Sequence, residues 1–161
     1  MKRKKKIILV SHCILNQNSV VFPLSRAEGP FTFVDTIIKN NIGIYQLPCP
    51  EFKFKGLNRS PMSKEEYDTP EYRKLCKTLS IEVTNDIIEY LDNDYKIIGI
   101  IGINHSPTCS ITEKRGIFME ELFDVIEKNN ITIPYLEIPV DYDNSQNSID
   151  NIKNNLLSII K

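Results

Sequence analysis

A chain of 161 residues with 20 basic against 21 acidic side chains fits one domain, large enough to bury roughly 70% of the surface its unfolded form exposes. With no global field of either sign, neither nucleic acid nor a membrane is expected as a partner, and a small neutral or mildly polar molecule suits the balance better. Four cysteines are neither abundant nor spaced as in a secreted disulfide scaffold, which points to free thiols in a reducing cytoplasm. A homodimer is left open.

The N-terminus, Met1-Lys-Arg-Lys-Lys-Lys6, imitates a signal peptide. It is followed by only four apolar residues before Ser11 and His12, with no small-residue cleavage site, and no later segment nears the ~20 apolar residues that span a bilayer. The basic leader is expected to solubilise the end of a buried strand. Ile7-Ile-Leu-Val10 is a continuous apolar run rich in β-branched residues, as in a parallel strand covered on both faces, and is predicted to be central. Residues 14–29 read as a long polar loop, after which Pro30 opens a helix carrying Val34, Ile37 and Ile38. Residues 42–47 form a second strand stopped by Pro48-Cys49-Pro50, where two prolines are predicted to exclude helix and hold the thiol on a stiff extended turn.

Residues 51–68 read as an unusually long connection that could act as a lid or one wall of a site. Thr69-Pro70 is a helix start, and Tyr72, Leu75, Leu79, Val83, Ile87 and Leu91 carry that helix to about Asn93. A third strand over 95–103, a loop over 104–110 and a helix over 112–128 follow. The fourth strand, over 132–140, contains Pro134 and Pro139, which remove ladder donors and place it at an edge. A last helix is capped near Ser145. Right-handed crossovers then give strand order 2-1-3-4 in a single flavodoxin-like or Rossmann-like α/β domain over residues 1–161.

In such a sheet all strands point one way, and ligands bind beyond their carboxyl ends at the topological switch point. Cys13, Cys49 and Cys109 each stand where an apolar run stops, so the topology predicts that three thiols distant in sequence meet in space. Three sulfur ligands with a vacant fourth position suit an exchangeable iron or zinc site, whereas a structural metal would fill all four. Cys76 lies instead on the apolar stripe of the long helix and reads as inert core. His12 and His105 lie beside the proposed site, and Glu51 is the one carboxylate fixed close to a proposed ligand. A competing reading takes Cys109-Ser-Ile-Thr-Glu-Lys-Arg115 as the C-x5-R loop of a cysteine phosphatase or arsenate reductase, although it lacks glycine and places Glu113 where it would repel a dianion. A third possibility is a non-catalytic metal or cluster carrier.

Ser11-His-Cys-Ile-Leu-Asn16, Pro48-Cys-Pro-Glu51, Gly56-Leu-Asn-Arg59 with Pro61, and Ser106-Pro-Thr-Cys109 together resemble the 2-thiouracil desulfurase (desulfidase) family, in the family's order. The resemblance implies a four-iron four-sulfur cluster held by Cys13, Cys49 and Cys109, with one iron open to the sulfur of a small thiocarbonyl substrate. It implies non-redox exchange of that sulfur for water oxygen, with sulfide released. Zinc is the alternative occupant. Glu51 would activate or orient the water, Ser106 would hold or protonate the base, Asn16 and His105 would bind substrate, and Arg59 would steady the loop or a substrate oxygen. The chain departs from the family's pattern at Asn16-Gln-Asn-Ser-Val-Val21, Lys55-Gly56 and Ser110, positions expected to line the pocket.

Overall fold

Ile8, Leu9 and Val10 are fully buried because the sheet that contains them is covered on both faces. The computed structural model describes residues 1–161. Its strands are β1 (Lys6–Val10), β2 (Gly43–Gln46), β3 (Lys96–Ile103) and β4 (Tyr135–Ile138), all parallel, in the order β2-β1-β3-β4. Alternation along β1 and β3 sends Leu9 and Ile100 into one apolar layer and Ile8, Val10 and Ile101 into the other. The first layer is closed by α5 (Pro70–Asp92) and α6 (Ile117–Lys128), the second by α2 (Val34–Lys39) and α7 (Gln146–Ile160). The fold class and strand order expected from the sequence are those observed, and β4 lies at an edge with Pro134 and Pro139 just outside it.

Local signals explain the boundaries. Thr69 accepts the N–H of Tyr72 and Ser145 that of Ser148, so both predicted caps start their helices. Cys76 is fully buried between Tyr72 and Leu79 on the inner face of α5, where burial pushes its thiol up to about 12. Leu91 and Ile38, expected on buried faces, are exposed: Leu91 lies in the last turn of α5, and α2, under two turns long, buries only Val34 and Ile37. The helix expected from residue 112 starts five residues later, at Ile117.

The basic leader has a more specific task than solubility. A parallel sheet with right-handed crossovers gathers the C-terminal ends of its helices at the edge where the strands begin. There the ammonium groups of Lys4, Lys5 and Lys6 donate to the carbonyls of Asn40, Asn93 and Ile160, at 3.1, 3.0 and 3.1 Å. These carbonyls close α2, α5 and α7, so three consecutive lysines each meet the negative end of a different helix. Lys6→Met is expected to lower stability by about 0.3–1 kcal/mol, by the usual worth of a cation at a helix C-terminus, with less effect in high salt. Urea unfolding at low and high sodium chloride reads this; an unshifted midpoint at low salt would leave Lys6 a solvated charge.

No helix is long and apolar enough to cross a membrane.

Candidate functional site

The carboxyl ends of the strands place each cysteine by a different local device. After β1, both the N–H and the hydroxyl of Ser11 bond the carbonyl of Ile101, which turns the chain into α1 (His12–Leu15) and sets Cys13 in its first turn. The region expected to be loop from residue 14 therefore begins with a helical turn, followed by a 3-10 turn over Gln17–Ser19. Buried Gln17 organises it: its Nε2 donates to the Cys13 carbonyl at 2.9 Å and its Oε1 accepts the Arg26 N–H at 2.8 Å.

Cys49 is extended (φ −98°, ψ 102°), as the flanking prolines require, yet it is also the N-cap of α3 (Pro50–Lys55), its sulfur accepting the Phe52 N–H at 3.5 Å. The expectation that two prolines exclude helix is thus corrected: Pro50 occupies the first helical position, where a missing N–H leaves no bond unmade. The stretch expected as one long connection is divided by α3 and by α4 (Lys64–Tyr67), which opens with a Ser63/Glu66 capping box.

Cys109 is held by the backbone of its loop. The Ser106 hydroxyl oxygen accepts the N–H groups of Thr108 (3.2 Å) and Cys109 (2.9 Å), and the Cys109 carbonyl accepts the N–H of Ile103. Gly116 is required by close approach: a β-carbon there would lie 2.3 Å from the Thr108 carbonyl carbon and 2.7 Å from the Cys109 nitrogen. The loop is thereby pressed against the start of α6.

These segments enclose a cavity of about 290 Å3 lined by Cys13, Cys49 and Cys109 together with Glu51, Arg59 and Ser106. Burial pushes the Cys13 thiol up to about 12, and the neighbouring Cys49 adds to it. Burial also raises Cys49, and raises Cys109 well above the ordinary thiol range, with Cys13 and Cys49 contributing. Three thiols facing one cavity thus resist ionisation unless a cation accepts their charge. No group of three or more His, Cys, Asp or Glu side chains is gathered closely enough to hold a single metal ion.

Glu51 sits in the first turn of α3. Its Oε1 accepts the hydroxyl of buried Tyr67 at 3.2 Å and lies 3.5 Å from Arg59 Nε. Arg59 donates further to the carbonyls of Gly56 (2.8 Å) and Ser19 (2.7 Å), and its side chain is 3% exposed. Its two Nη atoms thus tie its own segment to α3 and to the 3-10 turn, the loop-steadying role expected of it, while Nε is buried beside Glu51 without a hydrogen-bond partner. His105 lines the mouth in a left-handed conformation (φ 64°), its N–H bonded to Asn104 Oδ1. His12, adjacent to Cys13, directs Nδ1 at the Leu47 carbonyl, 3.2 Å away, a contact that requires a proton on Nδ1.

Two expectations are corrected. Asn16 does not line the cavity: its side-chain oxygen accepts the Asn18 N–H and caps the 3-10 turn. The phosphatase-like pairing of Cys109 with Arg115 is not formed, because Arg115 donates to the Ile111 carbonyl and packs 4.6 Å from the Phe123 ring centroid, outside the cavity. The Cys109 N–H that such a loop would offer an oxyanion is already bonded to Ser106. Of the departures expected to line the pocket, Gln17, Ser19, Val20 and Val21 do so, whereas Lys55, Gly56 and Ser110 lie outside it; Arg26 lines the cavity without having been singled out by the sequence, brought in by the fold of residues 16–29.

No family model matches the chain, and no solved structure matches it. It is 53% identical over 136 residues to an uncharacterized protein of Methanocaldococcus jannaschii, an overlap of 84% of this chain and 86% of that protein. The overlap is too long and too similar to cover a shared motif alone, and the chain belongs to the same family as this archaeal protein.

Proposed function

We propose that Cys13, Cys49 and Cys109 hold a four-iron four-sulfur cluster and that the protein is an enzyme removing sulfur from a thiolated nucleobase such as 2-thiouracil, or a similar small thioamide. The observation that carries this reading is the convergence of three soft thiols, from three strand ends, on one cavity that also contains Glu51. Thiols spread around a cavity suit a body of several atoms better than zinc, whose donors must lie about 2.3 Å from one point. The resemblance of the segments around these residues to the motifs of 2-thiouracil desulfurases supports the same assignment. A reducing cytoplasm, which keeps thiols free, is the compartment the proposal requires.

When bound, the cluster supplies a soft Lewis acid for the thiocarbonyl sulfur, a task that an oxygen-ligated magnesium performs poorly. The chain's own residues supply the rest. Glu51, fixed by Tyr67 and Arg59, orients a water toward the thiocarbonyl carbon and takes its proton. Ser106 has its oxygen engaged by two backbone N–H groups, so its hydroxyl proton is the part free to meet a ring nitrogen. His105 at the mouth meets the base edge. Overall, a C=S group and water become a C=O group and hydrogen sulfide, with no net change of oxidation state.

The test is anaerobic purification or reconstitution, iron and sulfide analysis, and the loss of thiouracil absorbance with released sulfide measured in parallel. Bound iron and sulfide with turnover are expected. A cluster without turnover on any thiocarbonyl compound would leave the cluster-carrier reading, and full activity after complete iron removal would overturn the proposal.

A further inference from the structure

Arg26 takes no part in the chemistry above, yet its half-buried guanidinium lines the same cavity. Its Nη1 donates to the carbonyls of Pro139 (2.8 Å), Val140 (3.1 Å) and Tyr142 (3.3 Å), and its Cζ lies 5.6 Å from the Phe31 ring centroid. Its backbone N–H, bonded to Gln17 Oε1, ties it to the residue that also bonds the Cys13 carbonyl. It makes no ion pair, whereas Arg59 in the same cavity faces Glu51, and Arg73 on the surface faces Asp68, Glu120 and Glu121. Nε and Nη2 donate to no protein group. Carbonyls hold this cation in place without neutralising it, and burial draws its pKa down from the ordinary arginine value, against a smaller opposing influence of Cys13, Tyr142 and Asp141.

We propose that Arg26 is a specificity-determining residue that receives a carboxylate, so that the substrates of this site are thiocarbonyl compounds bearing one. With Nη1 fixed on three carbonyls, the remaining edge of the guanidinium, Nε and Nη2, is a planar fork of the kind that pairs a carboxylate bidentately. One free guanidinium edge matches the single charge of a carboxylate, since the other arginine of the cavity, Arg59, is tied to Glu51, Gly56 and Ser19. The three tethers hold the fork in place before binding, which lowers the ordering cost that a free surface arginine would carry.

The inference rests on the thiocarbonyl reading only for the other end of the substrate, so the test uses ligands without sulfur. Orotate, uracil and uridine monophosphate are titrated into the full-length protein by calorimetry. Orotate is expected to bind at least about tenfold more tightly than uracil, as a charge-assisted bidentate pair warrants. Arg26→Met should bring that ratio close to one, and Arg26→Lys should leave an intermediate ratio, keeping the charge and losing the fork. Uracil affinity in each variant reports that the cavity is intact; if Arg26→Met loses it, Arg26→Lys decides. Equal affinities for orotate and uracil in the unaltered protein, a preference that survives both substitutions, or tighter binding of uridine monophosphate than of orotate would each overturn the carboxylate subsite. Thiouracil turnover, measured separately, tests the reading on which it rests.

Discussion

Serine in place of Cys13, Cys49 or Cys109 is expected to bring iron content after anaerobic reconstitution close to zero, because a hard hydroxyl is a poor substitute for a soft thiolate on iron. Cys76→Ser should keep its iron and lose stability instead: its side chain is fully buried against Leu79 and Tyr72, where a hydroxyl short of a partner costs about 1–3 kcal/mol. Cys49→Ser separates ligation from folding most cleanly. Its sulfur caps α3 by accepting the Phe52 N–H, and serine is among the preferred residues at an N-cap, so this variant should fold at least as well while failing to hold iron. Iron and sulfide analysis, visible absorbance and urea midpoints on the same samples read both effects. Iron retained at the unaltered level in Cys49→Ser would sink the cluster reading.

The sheet was legible because its determinants are local or topological. Ile7-Ile-Leu-Val10 and the run ending at Ile103 are apolar without alternation, which only a strand covered on both faces requires, and right-handed crossovers leave few orders for four such strands. That order also foretells which strand ends are neighbours, and hence that residues 13, 49 and 109 face one crevice. The connections were less legible because their structure depends on single bonds. Whether Pro50 excludes or begins a helix turns on the residue before it acting as a cap, and cysteine is an uncommon cap. Asn16 looked like a pocket residue by its place in a motif, but its amide is used two residues downstream. Arg26 could not be found from sequence, since its partners are carbonyls more than a hundred residues away, and carbonyls carry no residue-type signal. The lysine leader shows the same limit: the run is visible, but its pairing with three helix ends exists only once the parallel sheet has aligned them.

Glu51→Gln is expected to retain the cluster and slow sulfur removal by roughly 10²–10⁴-fold, the usual loss when a general acid or base is removed. Glutamine is nearly the same size, and its amide oxygen can still accept the Tyr67 hydroxyl, so the first turn of α3, and with it Cys49, should stay in place. What it loses is the ability to take a proton from water. Ser106→Ala tests a different structure from the one its motif suggests. Because the Ser106 oxygen accepts the N–H groups of Thr108 and Cys109, removing it frees two donors in the loop that presents a proposed ligand, and iron retention should fall along with turnover. Tyr67→Phe lies between them: it removes one of two contacts that orient Glu51 and leaves Arg59, so turnover should fall by no more than about tenfold with iron unchanged. The three variants, compared for iron content and for turnover per iron under anaerobic conditions, distinguish a reacting carboxylate from a loop anchor. Unaltered turnover per iron in Glu51→Gln would remove Glu51 from the mechanism and leave it a partner for buried Arg59, whose own charge would then be the reason for a carboxylate at that position.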